Sequence, residues 1–205
     1  GKSTSKYKSS PQVELVSLFN TEVSLPLVKD TQRYTNLLTP KFSFKFNPSD
    51  MKDYSSSDNK VNVDSIFANN RLGLSDTFEA GRSLTLGFDF LSQKKNTLDN
   101  INDFFEFKLA TVLRDKEENF ISNQSTLNKK NSNIFGSINK KFSENMNLEY
   151  NFSIDNDYST LEYNDLNASF SINNIVTNFN FIKETNDVGN TNVFKTSVNY
   201  KPDNK

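Results

Sequence analysis

Apolar and polar residues alternate along most of this chain. In "RSLTLGFDF", residues 82–90, Leu84, Leu86, Phe88 and Phe90 fall on one parity, and Ser83, Thr85, Gly87 and Asp89 fall on the other. A period of two is that of a β-strand with one apolar and one polar face. Residues 37–47 set Phe42, Phe44 and Phe46 against Lys41, Ser43 and Lys45. Residues 104–113 keep Phe105, Phe107, Leu109 and Leu113 in phase, and 147–154, 166–173, 175–182 and 193–200 continue the pattern. Residues 13–28 alternate more loosely, with Val13, Leu15, Phe19, Val23, Leu25 and Leu27 on one side. Pro26 in that segment has no N–H for a ladder, which places its end at a sheet edge or terminus. Residues 66–74 also read as a strand, joined to 82–90 by a turn over 75–81. Only residues 97–107 suggest a helical turn. The expectation is about nine or ten strands, most of roughly 8–11 residues, a length that suits tilted membrane strands.

Two polar stretches, 48–65 and 114–132, read as long exposed loops. Short connectors near 143–145, 155–158 and 173–174 join the later strands, and connections so brief require antiparallel neighbours. The predicted fold is an all-β antiparallel meander. The phase of the alternation slips around 115–131, so this reading does not put both long loops at one end of the sheet.

The apolar faces meet either a protein core or lipid, and alternation alone allows both. Three features favour part of a large transmembrane β-barrel. The lumen-parity residues are polar almost without exception, among them Lys45, Asp89, Glu106, Lys108, Glu149 and Lys195. The opposite parity carries Phe, Leu, Ile and Tyr with few small residues, and tight turns alternate with long polar excursions.

Composition sharpens this. Only 34% of the 205 residues are hydrophobic, too few for an easy two-layer core, yet 19 are Phe and they are regularly placed. The net charge of -1 supplies no field to attract nucleic acid, and no nucleic-acid partner is expected. With no cysteine and no histidine, disulfides, thiol catalysis, zinc-finger sites and Ser-His-Asp chemistry are excluded within the stretch. No catalytic residue, metal site or cofactor is expected, and the adjacent Glu117 and Glu118 read as solvated loop charges. The first ten residues contain no apolar signal-peptide core. No run approaches the roughly 20 apolar residues of a membrane helix, so any membrane crossing is by strands.

Residues 64–90, "DSIFANNRLGLSDTFEAGRSLTLGFDF", resemble a segment of the LptD family of outer-membrane LPS-assembly proteins, also called organic solvent tolerance proteins. Asn70 and Arg71 match the Asn-Arg that ends a strand in that family, Asp76 matches the turn acid, and Glu79 and Gly81 match an acidic-Gly pair. Leu84, Thr85 and Gly87 match the strand that follows. Residues 23–30 and 37–48 are similar to the preceding strand pair, and 109–119 and 129–138 to later barrel strands. The resemblance spans roughly 11–200 and is sharp at 64–90, where Gly73 is shifted and Ala80 stands at a common second Gly. It implies a polar segment at 1–10, a partial barrel domain at 11–201 and a truncated end at 202–205, the whole being an interior piece of a larger barrel.

The resemblance further implies a non-enzymatic role in the outer membrane of a Gram-negative bacterium. The family's barrel receives LPS from a periplasmic bridge protein, reached through an N-terminal domain. It then passes LPS to the outer leaflet through a lateral opening, with an LptE-like plug lipoprotein in its lumen. Lys41, Lys45, Asp89 and Lys108 are then candidate lumen-facing contacts to LPS or plug, against the plainer reading that they solubilise the wet face. Asn70, Arg71, Asp76, Glu79, Gly81 and Gly87 read as a turn-stabilising set, with Arg71 pairing to Asp76 or Glu79. Two other functions fit the pattern: a porin-like passive channel with an inward constricting loop, and a surface β-domain for adhesion that is soluble without detergent.

Overall fold

In the computed structural model, residues 16–95 and 104–200 are described. The segment expectations at 1–10 and 202–205, Val13 and Leu15, and the part of the helical turn at 97–103 lie outside them. Ten strands form one antiparallel sheet: β1 (Phe19–Ser24), β2 (Leu27–Asp30), β3 (Tyr34–Asn47), β4 (Gly81–Lys94), β5 (Phe104–Arg114), β6 (Ile134–Ser143), β7 (Met146–Ile154), β8 (Leu161–Ile172), β9 (Ile175–Glu184) and β10 (Asn192–Tyr200). From β3 to β10 every strand pairs with the next in the chain, which is a meander. Residues 104–107, counted in the possible helical turn, are the start of β5.

β1 and β2 lie end to end along the same edge of β3, pairing with Lys41–Phe46 and Thr35–Leu38 respectively. The break between them is Leu25-Pro26. Leu25 N–H still donates to Pro40 O at 3.1 Å, but Pro26 has no donor and the ladder restarts at Leu27. Among the described residues the sheet does not close, and β1/β2 and β10 are its two edges.

The β3/β4 hairpin pairs in unbroken register from Tyr34↔Lys94 to Asn47↔Gly81. Each of its strands has 14 residues, about 46 Å at the usual rise per residue. The registers carry one parity across the whole sheet. The apolar face presents Phe19, Phe42, Phe44, Leu86, Phe107, Tyr150, Phe152, Phe179 and Phe194, and the other face presents Ser43, Thr85, Asp89, Lys108, Asn151, Asn167, Asn180 and Lys195.

Residues 66–74 are not a strand. They run in successive turns within a long excursion over 48–80. This resolves the slipped phase. An extra strand there adds one crossing of the sheet and inverts the end assigned to every later connection. Without it, the excursions 48–80, 115–133, 155–160 and 185–191 all lie at one end, called here the loop end. The connections at 144–145 and 173–174 lie at the other, the turn end, together with the end of β4 and the start of β5.

Candidate functional site

The two long excursions are not free loops. They fold back over the polar face near the loop end. Met51, Val61, Val63, Ile66, Leu72 and Leu74 from the first, and Ile121 and Leu127 from the second, form one buried cluster with Ala110, Val112 and Phe135 of the sheet. Those three sheet residues have the parity of the wet face, yet they are apolar. They are the platform on which the loops sit, and burying each Val, Ile, Leu, Met or Phe of the cluster contributes about 1.5–3 kcal/mol relative to exposure.

The loops are also stitched to each other and to later strands. Tyr54 N–H donates to Phe120 O at 2.9 Å, and Gln124 Nε2 donates to Asp58 at 3.2 Å. Lys60 pairs with Glu184 at 2.6 Å, and Lys129 pairs with Asp187 at 2.5 Å. The second excursion returns beside β5, where Ser132 N–H donates to Val112 O and Arg114 N–H to Lys130 O. A register shift between Ser153 and Ile154 turns Glu162 to the covered side, where Asn133 Nδ2 donates to it at 2.6 Å and to Ser153 at 3.0 Å.

At the centre of the first excursion is a buried ion cluster. Arg71 donates to Glu79 through Nε at 2.7 Å and Nη2 at 2.6 Å, a bidentate pair. Its remaining donors reach Ser83 at 2.9 Å, Thr85 at 2.8 Å and Ile66 O at 3.3 Å, so one side chain fixes the loop to β4. Arg114, at the end of β5, donates to the same Glu79 carboxylate and to Ala80 O. Burial alone would raise the Glu79 pKa. The charge and hydrogen bonds of Arg71, then the charges of Arg114 and Lys45, outweigh it and hold the carboxyl at about 2.

The other residues of the turn set do different work. Asn70 closes the turn at Gly73: its amide donates to Leu74 O at 2.7 Å and its oxygen accepts from Leu74 N–H at 2.8 Å, around a glycine at φ +63°. Asp76 accepts from the Tyr54 hydroxyl and lies 3.5 Å from Lys52, while the Arg71 guanidinium pairs with Glu79. Gly81 opens β4 at φ +82°. Gly87 faces inward under Phe67; a Cβ there would lie 2.7 Å from Leu109 O and 3.0 Å from the Phe67 ring.

The four lumen candidates all lie on the polar face of the sheet. Lys41 pairs with Asp89 at 2.5 Å and sits 5.6 Å over the Phe67 ring. Lys108 pairs with Asp64 at 2.9 Å and Glu106 at 3.3 Å. Lys45 is buried and donates to Ala68 O. Beyond the loops, the inward face of β7–β10 remains open as a trough of about 900 Å³ with Asn147, Glu149, Asn167, Asn178, Asn180 and Lys195 along it. Amides and Asp165 bond to one another there: Asn180 Nδ2 donates to Asn167 at 2.7 Å and to Asp165 at 3.1 Å. Among the described residues no three His, Cys, Asp or Glu converge as a metal site.

The opposite face has a different charge pattern. By register, its strand residues include Lys29, Arg82, Lys94, Lys140 and Lys183, all cations, and not one carboxylate. Every carboxylate of the described strands points to the wet side. The five cations stand near strand ends, with Phe, Leu, Ile, Val and Tyr between them. On β4, Arg82 and Lys94 are separated by twelve steps, about 40 Å along the strand, or about 28 Å once tilted by 45°. That is the height of a bilayer's apolar core with cations at both margins. The family model described as "LptD: LPS transport system D" matches residues 2–202. The chain belongs to the LptD family. Comparison with curated proteins gives no match. LptD proteins are a Gram-negative outer-membrane family of LPS transport and assembly, and the strand-rich, two-faced sheet of this member is consistent with an outer-membrane β-barrel.

The inward-folded loops and the buried Arg114 were missed in the sequence. Their signals were present: Ala110, Val112 and Phe135 break the polar parity on neighbouring strands, and Val61, Val63, Ile66, Leu72 and Leu74 punctuate an otherwise polar excursion.

Proposed function

We propose that residues 11–201 form part of the wall of an outer-membrane β-barrel that delivers LPS to the outer leaflet, with an LptE-like lipoprotein in the lumen and a periplasmic bridge protein supplying LPS. The observation that carries this is the partition of charge within the described strands: their carboxylates lie only on the wet face, the other face is an apolar band, and the charged strand residues at the band's margins are all cations. Outer-membrane barrels have short periplasmic turns and long extracellular loops, so the loop end faces outward. Lys41, Asp89 and Lys108, on the polar face beside the first excursion and still partly exposed, are the proposed contacts to LPS or plug. Buried Lys45 serves loop attachment instead.

The test is depletion and complementation of the full-length protein in its host, reading LPS at the cell surface and co-purification of a small lipoprotein. Loss of surface LPS on depletion, restored by the gene, is expected. Normal surface LPS, or a full-length protein monodisperse in plain buffer, overturns the reading. The inward-folded loops give a porin-like channel its one specific support, since such loops narrow a lumen. Steady ion conductance in planar bilayers without an LPS phenotype would select it.

A further inference from the structure

Arg82 is the second residue of β4, and Gly81 before it, in the left-handed region, sets the entry of the strand so that Arg82 lies on the apolar parity. It is exposed, and among the described residues it makes no ion pair. It lies over the Phe46 ring, 5.3 Å from the guanidinium carbon to the ring centroid. A guanidinium stacked on a ring is oriented, and its edge N–H donors are left unspent. An open cavity of about 620 Å³ adjoins it, bounded by Phe46, Arg82, Lys116 and the exposed Phe120. Below, Phe19 stacks on Phe46 at 6.2 Å, and Phe42 and Phe44 continue down the same exposed face.

We propose that Arg82, assisted by Lys116, seats a phosphate of the lipid anchor of LPS (lipid A) on the outside of the wall, with an acyl chain lying along the Phe46–Phe44–Phe42 column. This rests on the reading that the loop end faces the outer leaflet. A planar fork of donors at the margin of an apolar band matches a phosphate bidentately, and the exposed rings below match hydrocarbon. Three carboxylates, Asp50, Asp115 and Glu118, also line the cavity, so the phosphate is held by Arg82 at the edge of the apolar face and not by the cavity as a whole. The seat is at the rim, where the apolar face meets the base of the loops, and it would hold LPS that has already reached the leaflet.

The test uses the purified full-length protein in detergent, with diphosphoryl lipid A, dephosphorylated lipid A and phosphatidylglycerol as probes, and native mass spectrometry as the readout. Wild type is expected to prefer diphosphoryl lipid A. Arg82→Gln is expected to bind it about tenfold more weakly, and Arg82→Lys to fall between. An unchanged heat-modifiable gel shift in Arg82→Gln shows that the barrel still folds. Equal binding by wild type and Arg82→Gln overturns the seat, and so does phosphatidylglycerol binding as tightly as lipid A. If surface LPS still depends on the protein while Arg82 is indifferent, the seat alone has failed. If wild type neither binds lipid A nor supports surface LPS, the transport reading has failed with it.

Discussion

Glu79→Gln tests the account of the inward-folded loop. The substitution keeps the side chain's shape and removes its charge. Arg71 and Arg114, whose side chains are 1% and 0% exposed, would then face each other without their shared carboxylate. Breaking a buried pair by removing one partner costs about 3–5 kcal/mol. A second route gives the same scale: lowering the carboxyl from 4.5 to about 2 corresponds to about 3 kcal/mol of preference for the charged form. The sign follows from the depressed pKa. The stabilisation is complete above the unfolded value of 4.5 and is lost as pH falls through the folded value of about 2. Protease cleavage within residues 48–80 of the full-length protein in detergent reads loop opening directly. At pH 7, about 3 kcal/mol makes cleavage of Glu79→Gln about 150-fold faster when opening is rapid relative to cutting. With pepsin between pH 4.5 and 2, wild type should become progressively cleavable while the variant's opening changes little with pH. A variant rate within threefold of wild type at pH 7 would refute the argument that this cluster holds the loop.

Leu86→Arg, at the middle of the apolar face, should destabilise the barrel by about 2–4 kcal/mol in lipid, whereas Ser197→Arg on the exposed wet face should stay within about 0.5 kcal/mol. Urea unfolding of the full-length protein in liposomes measures both, and equal tolerance would contradict a lipid-facing apolar side. Gly87→Val should cost about 1–3 kcal/mol in the same assay, because its Cβ would lie 2.7 Å from Leu109 O and 2.9 Å from Ala110 Cβ, both in the paired strand. Lys108→Ala, which removes pairs with Asp64 and Glu106, should change stability by less than about 1 kcal/mol, as befits a partly exposed pair.

The strands were legible because their period is two and their apolar residues are large. The registers through Phe42, Leu86 and Leu113 follow the parity visible in the sequence. The edge position of residues 19–30 was legible for one reason, the missing donor of Pro26. Residues 66–74 misled because Ile66, Leu72 and Leu74 are buried there, and short apolar runs look alike whether they belong to a strand or to a folded loop. Arg71 and Glu79 lie eight residues apart and could be paired by eye. Arg114 joins them only because β4 and β5 pair Ser83 with Arg114, a contact that no local pattern encodes.

The charge partition and the exposure of the sheet lead to one further step. Leu38, Phe42, Phe44 and Leu86, on strands with neighbours on both sides, are 37–40% exposed, whereas Phe194, Val198 and Tyr200 on β10 are 63–68% exposed and Phe19 on β1 is 62%. The excess at the edges is side-chain flank that a neighbouring strand would cover. Those edges also present unpaired backbone N–H and C=O groups, and hydrocarbon offers no water to satisfy them. A lipid-facing sheet therefore cannot end at β10 or at β1/β2. On the reading that this face meets lipid, each edge needs a strand partner that continues the same parity, apolar beside Phe194 and polar beside Lys195. A strand that met β10 one residue out of register would set its polar side chains against lipid, so the wall's closure is constrained by the same two-residue period that made its strands readable.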